Sequence, residues 1–484
     1  MKNKDYGDVA KKTADKAKGI YNLITGRFIF TNVNDKDING SEYVSGVLIP
    51  ILTGIVGGKQ LIFGNPGNGK TTTAELVSSL LYGFPLDAII SSAELHGHPE
   101  ITAEDIFGSL SLPDLKNMNW SSFAQFPYVK IVDEINRLSG KQQDMLLNLA
   151  DRGVSKYLNN TLITSKSTLY ATANYEDSGN TELIPPLRDR FDVSTEMHQL
   201  GPLERTLLVN NKQDSSILED KEISDEIKVI LSENSPYENK LKKLEGTSER
   251  FNENLKDKFD KERGIKLDEN LKDKFDKLGI KLDDIVISRD ELNKTRSYIN
   301  DIPFSEDANA YLAVIHSELA KPDGTERIPG DRNIDQNEHY AKTEYAFNKI
   351  YNDVSNRFTQ SLLNYSKAYA WFEGKEEVEP VHMSVVLPYV LAHRVNFADS
   401  SRVGQRRMSN LEAAKLISDG ISERYDVNPD VFRSAYDLFT SNIRVDSKEK
   451  DIDDVIKRLD SLPVSDHPFV LQLKRYLKLY TQRN

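Results

Sequence analysis

From residue 40 to about residue 200, short apolar runs alternate with longer stretches whose apolar positions recur every three or four residues. QLIF (60–63), DAIISS (87–92), YVKIVD (128–133), STLYATAN (167–174) and DVSTEM (192–197) have the length of strands. Short runs with little apolar–polar alternation fit a parallel sheet covered on both faces. Between them, TTTAELVSSLLYG and SGKQQDMLLNLADRG carry the three- and four-residue spacing of helices. Strands alternating with helices predict an α/β fold with parallel pairing. The most apolar stretch, VSGVLIPILTGIVGGKQLIF, is interrupted by Pro50, Lys59 and Gln60. It predicts a buried helix followed by a buried strand, not a membrane span.

The pattern changes at about residue 206. ENLKDKFDKERGIKLD (253–268) is followed directly by ENLKDKFDKLGIKLD (269–283), an imperfect tandem duplication dense in charge. Composition of this kind predicts a solvated insertion over residues 206–287, as a helical hairpin or a flexible arm. At IVISRDEL, Ser288 and Glu291 have capping-box spacing, and Ile287 with Leu292 suits a hydrophobic staple. FTQSLLNYSKAYAWFEG, HMSVVLPYVLAHRV, NLEAAKLISDGISERY and FVLQLKRYLKLY then predict an all-helical remainder, with 321–339 as an exposed loop. The expected organisation is an N-terminal helical extension (1–39), an α/β core (40–205), the charged insertion (206–287), a helical segment (288–398) and a C-terminal helical region (399–484).

Composition narrows the function. The formal net charge is −12, from 63 basic and 75 acidic residues, which argues against a broad nucleic-acid surface because phosphate contacts need clustered Lys and Arg. The chain has no cysteine, so disulfides, thiol catalysis and Cys-based metal sites are excluded, and a cytoplasmic protein is expected. The opening MKNKDYGDVAKKTADKAKG has no apolar core and predicts no secretory signal.

The chemistry is carried by LIFGNPGNGKTTTAEL. Residues Gly64, Asn65, Pro66, Gly67, Asn68, Gly69, Lys70 and Thr71 match G-x-x-x-x-G-K-[ST], with Thr72 next, after a strand run and before a helix. Such a loop turns backbone N–H groups toward phosphate oxygens, and the helix adds its positive end. Lys70 is expected to reach the β- and γ-phosphates of ATP and the Thr71 hydroxyl to ligate Mg2+. In YVKIVDEINR, Asp133 would help hold the metal and Glu134 would deprotonate the attacking water. Asn174, after the next strand run, is placed to hold that water, or serves as an ordinary turn former at a strand end. Arg188 and Arg190 in PPLRDRF are candidates for an arginine finger that reaches a neighbouring subunit, or form ordinary surface pairs. HGHPE brings His96, His98 and Glu100 together but reads as a loop rather than a metal site. Trp120 and Trp371 read as packing residues.

These residues resemble the AAA+ ATPases, and more narrowly their MoxR-like branch. DEINRLSGKQQDMLLNLADRGV looks like that branch's acid-pair segment. LYATANYEDSGNTELIPPLRDRFDV looks like its sensor-1 strand and finger stretch, and VSNRFTQSLLNYSKAYAWFEGKEEVEPVHMSVVLPYVLAHRV looks like its lid. By position, Asn174 matches sensor 1, Arg190 the finger, with Arg188 as second candidate, and Arg357 sensor 2. The segment SSAELHGHPEITAEDIFG departs most from the family pattern, where a substrate- or pore-facing segment is usual. The resemblance implies a homo-oligomer, most often a six-membered ring, with ATP seated between core and lid. It further implies remodelling or maturation of protein partners, von Willebrand factor A-type proteins among them. A nucleic-acid-linked or GTP-driven motor, and a nucleotide-gated scaffold, are the alternatives.

Overall fold

The computed structural model describes residues 2–28, 35–36, 40–110, 118–164, 166–175, 183–199, 201–203, 205–206, 215–263, 285–321, 345–397, 408–443 and 449–481. These divide into two compact units: residues 1–36, 40–301 and 371–374 form the first, and residues 37–39, 302–370 and 375–484 the second.

The first unit is built on five parallel strands: β1 (Lys59–Gly64), β2 (Glu94–His96), β3 (Val129–Asp133), β4 (Thr168–Ala173) and β5 (Val193–Met197). They lie in the order β5-β1-β4-β3-β2. Every residue of β4 is buried, as are the first four of β3. A strand covered on both faces has no reason to alternate, which is why these runs read as continuous apolar stretches.

Helix α1 (Lys2–Leu23) begins the unit, and α2 (Ser45–Val56) follows it, buried at all but its last position. The stretch 44–63 is therefore a core helix leading into β1, and no single helix among the described residues is long and apolar enough to cross a membrane. Its C-terminal carbonyls are satisfied by a distant guanidinium: Arg296 donates from Nε to Ile55 O at 2.6 Å and from Nη2 to Gly54 O at 3.0 Å. Helix α3 (Lys70–Tyr82) leaves the loop after β1, and α4 (Gly140–Arg152) follows β3. A capping box starts α4, with Gln142 Oε1 accepting from Ser139 N at 2.6 Å.

One strand lies elsewhere than the pattern predicts. DAIISS is helical: a short α segment, Leu86–Ala88, runs into a π turn, Ile89–Ala93, and the strand is the next three residues. Ala88, Ile89, Ser92 and Ala93 are buried while Ile90 is 47% exposed. That is the spacing of one helical face, and two adjacent apolar residues conceal it in so short a run.

The insertion is also not purely solvated. Helices α5 (Lys221–Ser232) and α6 (Tyr237–Arg263) bury Ile223, Ile227, Ile230, Leu231, Leu244, Phe251, Leu255 and Phe259. Lys240 reaches into the core, donating to Gln125 Oε1 at 2.6 Å and Leu231 O at 2.7 Å, and Ser248 Oγ donates to Tyr82 O at 3.0 Å. Apolar residues four positions apart create a burying face even where the mean composition is strongly polar. The second copy of the duplication (269–283) and the end of the first (264–268) lie outside the described residues. The capping box at Ser288 forms, with Ser288 N donating to Glu291 Oε2 at 2.8 Å, and starts α7 (Arg289–Asp301).

The second unit is helical: α8 (Glu306–Leu319), α9 (Asn356–Glu373), whose last three residues are grouped with the first unit, α10 (Pro380–Leu391), α11 (Asn410–Val427), α12 (Pro429–Ile443), α13 (Glu449–Asp460) and α14 (Pro468–Thr481). At its centre Glu318, fully buried, accepts from Arg424 Nε at 2.8 Å and Nη2 at 2.5 Å and lies 3.2 Å from His467 Nε2. The expected loop at 321–339, apart from Lys321, and the basic patch GQRR lie outside the described residues.

Candidate nucleotide site

The C-terminal ends of β1, β3 and β4 bring together most of the residues singled out from the sequence. The loop after β1 turns closely against β5. A Cβ at Gly64 would lie 2.6 Å from Met197 O, so no side chain fits there, and Asn68 Nδ2 donates to the same carbonyl at 2.9 Å. Gly69, at φ 77°, turns the chain into α3 in the left-handed region that glycine adopts without cost. Lys70 follows at the first position of α3 and is 6% exposed. Its ammonium donates to Gly64 O at 2.9 Å, Asn65 O at 3.0 Å and Asn174 Oδ1 at 2.8 Å. Burial lowers the Lys70 pKa from its ordinary value, and the charges of Asp133 and Glu134 oppose that shift.

Asp133 closes β3. Its Oδ1 accepts from Thr71 Oγ1 at 2.5 Å and Thr172 Oγ1 at 2.6 Å, and its Oδ2 lies 3.0 Å from His96 Nδ1. Burial works to raise the Asp133 pKa, but the bonds from Thr172, Thr71 and His96 outweigh it and hold the carboxyl below the usual range. The acid is therefore ionised at neutral pH. Two oxygen donors, Thr71 Oγ1 and the Asp133 carboxylate, already meet at one point, which is the kind of donor set a hard divalent cation takes.

Glu134 stands just past the strand with φ 51° and ψ 48°, a left-handed conformation that is uncommon outside glycine. Three contacts hold it. Thr172 Oγ1 accepts from Glu134 N at 2.9 Å, Asn174 Nδ2 donates to Glu134 Oε1 at 2.8 Å, and Arg137 Nε lies 2.8 Å from Glu134 Oε2. Asn174 thus touches both the lysine and the second acid. Its own backbone is bracketed by the Asn136 side chain, which donates to Asn174 O at 3.0 Å and accepts from Asn174 N at 3.4 Å.

Several of these partners escape a reading of the sequence. His96 and Gly97 enter because β2 pairs with β3 in a register that sets His96 opposite Asp133. Gly97 N donates to Asp133 O at 2.7 Å, and a Cβ there would meet Glu134 O at 2.5 Å. Behind the acids, burial and the hydrogen-bonded Glu75 carboxyl push Glu94 up to about 8, so the Glu75–Glu94 pair shares a proton at neutral pH. Thr172 has a faint signal: Tyr170, Thr172 and Asn174 occupy every second position of STLYATAN and so share one face.

Arg188 and Arg190 lie apart from this group. Arg188 ends the short helix Pro185–Arg188, and Arg190 follows it, donating from Nη1 to Pro186 O at 2.8 Å. Both precede β5 at its N-terminal end, where Asp192 N donates to Lys59 O at 2.8 Å. The phosphate loop leaves the opposite end of the neighbouring parallel strand, about 17 Å away by the rise of five residues. Arg357 is exposed at the start of α9, in the second unit.

Comparison with known proteins agrees with this architecture. Residues 59–191 match the AAA domain of the dynein-related subfamily, and residues 349–413 match the AAA lid domain. No curated protein matches the chain. A solved structure of a candidate ATPase from Cytophaga hutchinsonii is similar in fold, with a TM-score of 0.51 at 17% identity, covering 87% of this chain and 96% of that one. With its glycine loop, acid pair and five parallel strands followed by helices, the chain carries an ATPase domain of the AAA type, dynein-related subfamily, over residues 59–191 and an AAA lid domain over residues 349–413.

Proposed function

We propose that this ATPase is of the MoxR-like branch and couples ATP hydrolysis to the remodelling or maturation of protein partners, as a homo-oligomeric ring of about six subunits. The observation that supports the hydrolytic part of the reading is the continuous chain Lys70–Asn174–Glu134, with contacts of 2.8 Å on both sides of one amide; the branch, the ring and the protein partner rest on the resemblance of the sequence motifs. The amide joins the group that holds the γ-phosphate to the group that activates water, so loss of the phosphate is felt directly at Asn174. Lys70 and the loop N–H groups bind the triphosphate. Thr71 and Asp133 hold Mg2+, which when bound neutralises charge on the phosphate oxygens. Glu134 takes a proton from the attacking water as its oxygen bonds to phosphorus and ADP departs. Asn174 orients that water.

Arg190, or Arg188, completes the pocket of a neighbouring copy. The sheet geometry supports this, because neither stands at the phosphate-loop end of its own strand. Arg357 acts from the lid on the same nucleotide, so that hydrolysis and lid motion are linked and the motion is passed to a bound protein. A von Willebrand factor A-type protein is the expected kind of partner.

The test is Glu134→Gln in the full chain. We expect ATP to bind as before while turnover falls by about 10²- to 10⁴-fold, and a protein partner to co-purify with the ATP-locked form. Hydrolysis at the parent rate would remove Glu134 from the mechanism. Strong stimulation by DNA or RNA, or a preference for GTP, would replace protein remodelling with a nucleic-acid or GTP-driven role.

A further inference from the structure

At the ends of α3 and β3 remote from the phosphate loop, the first unit contains a cavity of about 500 Å3, within the range of about 300–1,000 Å3 usual for small-molecule sites. Helix α3 begins at Lys70 and reaches the cavity with Leu81 and Tyr82, and Tyr128, just before β3, is part of the same lining. The nucleotide chemistry uses none of these three residues.

The lining has an apolar side and a polar side. Leu81, Ile287, Leu292 and the rings of Tyr82 and Tyr128 supply the first. Tyr128 is fixed in place, its ring stacked on Tyr82 at 6.0 Å and the Arg289 guanidinium 4.3 Å from its centroid. The polar side is one face of α6, where Glu245, Ser248, Glu249 and Asn252 follow the three- and four-residue spacing of a single helix side. Part of this face is already spent: Glu245 Oε1 accepts from Tyr128 Oη at 3.2 Å, and Ser248 Oγ donates to Tyr82 O at 3.0 Å. Among the described residues no hydrogen bond reaches Glu245 Oε2, the Glu249 carboxylate or the Asn252 amide.

Charge decides what such a cavity takes. Its carboxylates are Glu245, Glu249 and Asp290, against one guanidinium, Arg289. Arg289 Nη1 lies 3.4 Å from Glu245, and Lys294 answers Asp290 at 2.7 Å. Glu249 is left without a counterion beside an apolar surface, which favours an organic cation. Glu245 and Glu249 stand about 6 Å apart along the helix, the span of two ammonium groups joined by four methylenes. The apolar side removes those methylenes from water.

We propose that this cavity binds a small aliphatic polyamine. One ammonium rests on Glu249 and the next on Glu245 Oε2, an N–H reaches Asn252 Oδ1, and the methylene chain lies on Tyr82, Ile287 and Leu292. The site is separate from the ATPase chemistry and does not rest on the proposed function.

The experiment is isothermal titration of spermidine into the full chain without nucleotide, because ATP itself binds polyamines. Salt at about 0.15 M screens the long-range attraction of a chain with net charge −12. A saturable isotherm with one site per chain is expected. Affinity should fall from spermidine to 1,4-diaminobutane to butylamine, by about fivefold for each ammonium lost, and by about fivefold in Glu249→Gln. Glu249→Lys should abolish binding. Asp257→Asn removes the same charge from an exposed position of α6 outside the cavity and should leave affinity unchanged. Glu249 has no partner within the described residues, so its substitution does not endanger the fold, and equal melting temperatures confirm this. The proposal is overturned by the lack of saturable binding, by equal weakening in Glu249→Gln and Asp257→Asn, which marks diffuse attraction, or by binding that survives Glu249→Lys, which places the ligand on other acids.

Discussion

Two clusters of buried charge, one in each unit, are built on opposite plans. Around Glu318 the charges are matched directly: Arg424 grips both carboxylate oxygens, Ala346 N donates to one at 3.3 Å, and His467 flanks the other. Aromatic rings close the cluster, with Phe432 and Tyr345 4.8 and 5.2 Å from the His467 ring. In the nucleotide site, no ion pair among the described residues joins Lys70 to either acid. Neutral groups stand between them: the loop carbonyls, Asn174, Thr71 and Thr172. A lysine spent on carbonyls and an acid spent on hydroxyls keep most of their charge uncompensated, which is what a triphosphate and a cation need to find. Direct pairing serves stability, and separation by neutral groups serves binding.

That contrast is open to attack by substitution, the largest effect first, and then by pH. Lys70→Met should abolish ATP binding, a loss beyond about 10³-fold in kcat/KM, yet leave the melting temperature equal or higher, because it removes a buried charge with no acid partner. Isothermal titration and calorimetry on one sample check both halves. Glu318→Ala should do the reverse to stability, lowering the unfolding free energy by about 3 kcal/mol, because it removes the buried acceptor of the partly exposed Arg424 guanidinium and of His467, as read by denaturant titration. Burial alone would raise the Glu318 pKa, but His467 and Arg424 hold it below its ordinary value. The stability it supplies is therefore present above the unfolded carboxyl pKa and is lost as pH falls through the lower folded one.

Gly97→Ala is a smaller change with a mixed result, since its Cβ would press on the carbonyls of Glu134 and Asp133 at 2.5 and 2.9 Å. Backbone cannot yield as a side chain does, so a loss of about 1–3 kcal/mol is expected, together with a lower kcat. A stable variant of parent activity would show that the β2 end does not shape the acid pair. The last effect is read as a pH slope and concerns Lys130, which is wholly buried on β3 with its ammonium on Phe126 O at 2.6 Å and Ala124 O at 3.2 Å. Burial lowers it to about 7. Between pH 7 and 10 the unfolded chain then binds a proton that the folded chain does not, so stability rises with pH by up to about 1.4 kcal/mol per unit. Lys130→Met should flatten that slope relative to the parent.

What the sequence discloses follows from how local each feature is. The glycine loop, Lys70, Thr71 and the acid pair occupy contiguous positions whose spacing is itself the chemistry, so they are legible without coordinates. Asn174 is legible through its place at a strand end. His96, Gly97 and Arg137 are not, because two of them depend on strand register and the third on a turn that the left-handed Glu134 creates. The strand at 94–96 is hidden because only Leu95 of its three residues is apolar, while the preceding apolar run folds as helix. The packing of α5 and α6 is masked by their charge, although Ile223, Ile227, Ile230 and Leu231 already trace one face. Arg424 and His467 lie 106 and 149 positions from Glu318, a pairing that no local pattern announces.

The parallel sheet has one further consequence. Arg188 and Arg190 enter β5 at the end remote from the glycine loop, so a lone polypeptide cannot close its own pocket if either is the finger. Under the proposed function turnover is then a property of the assembled population: specific activity should collapse on dilution, and doping with copies that lack both arginines should poison intact ones in more than linear proportion.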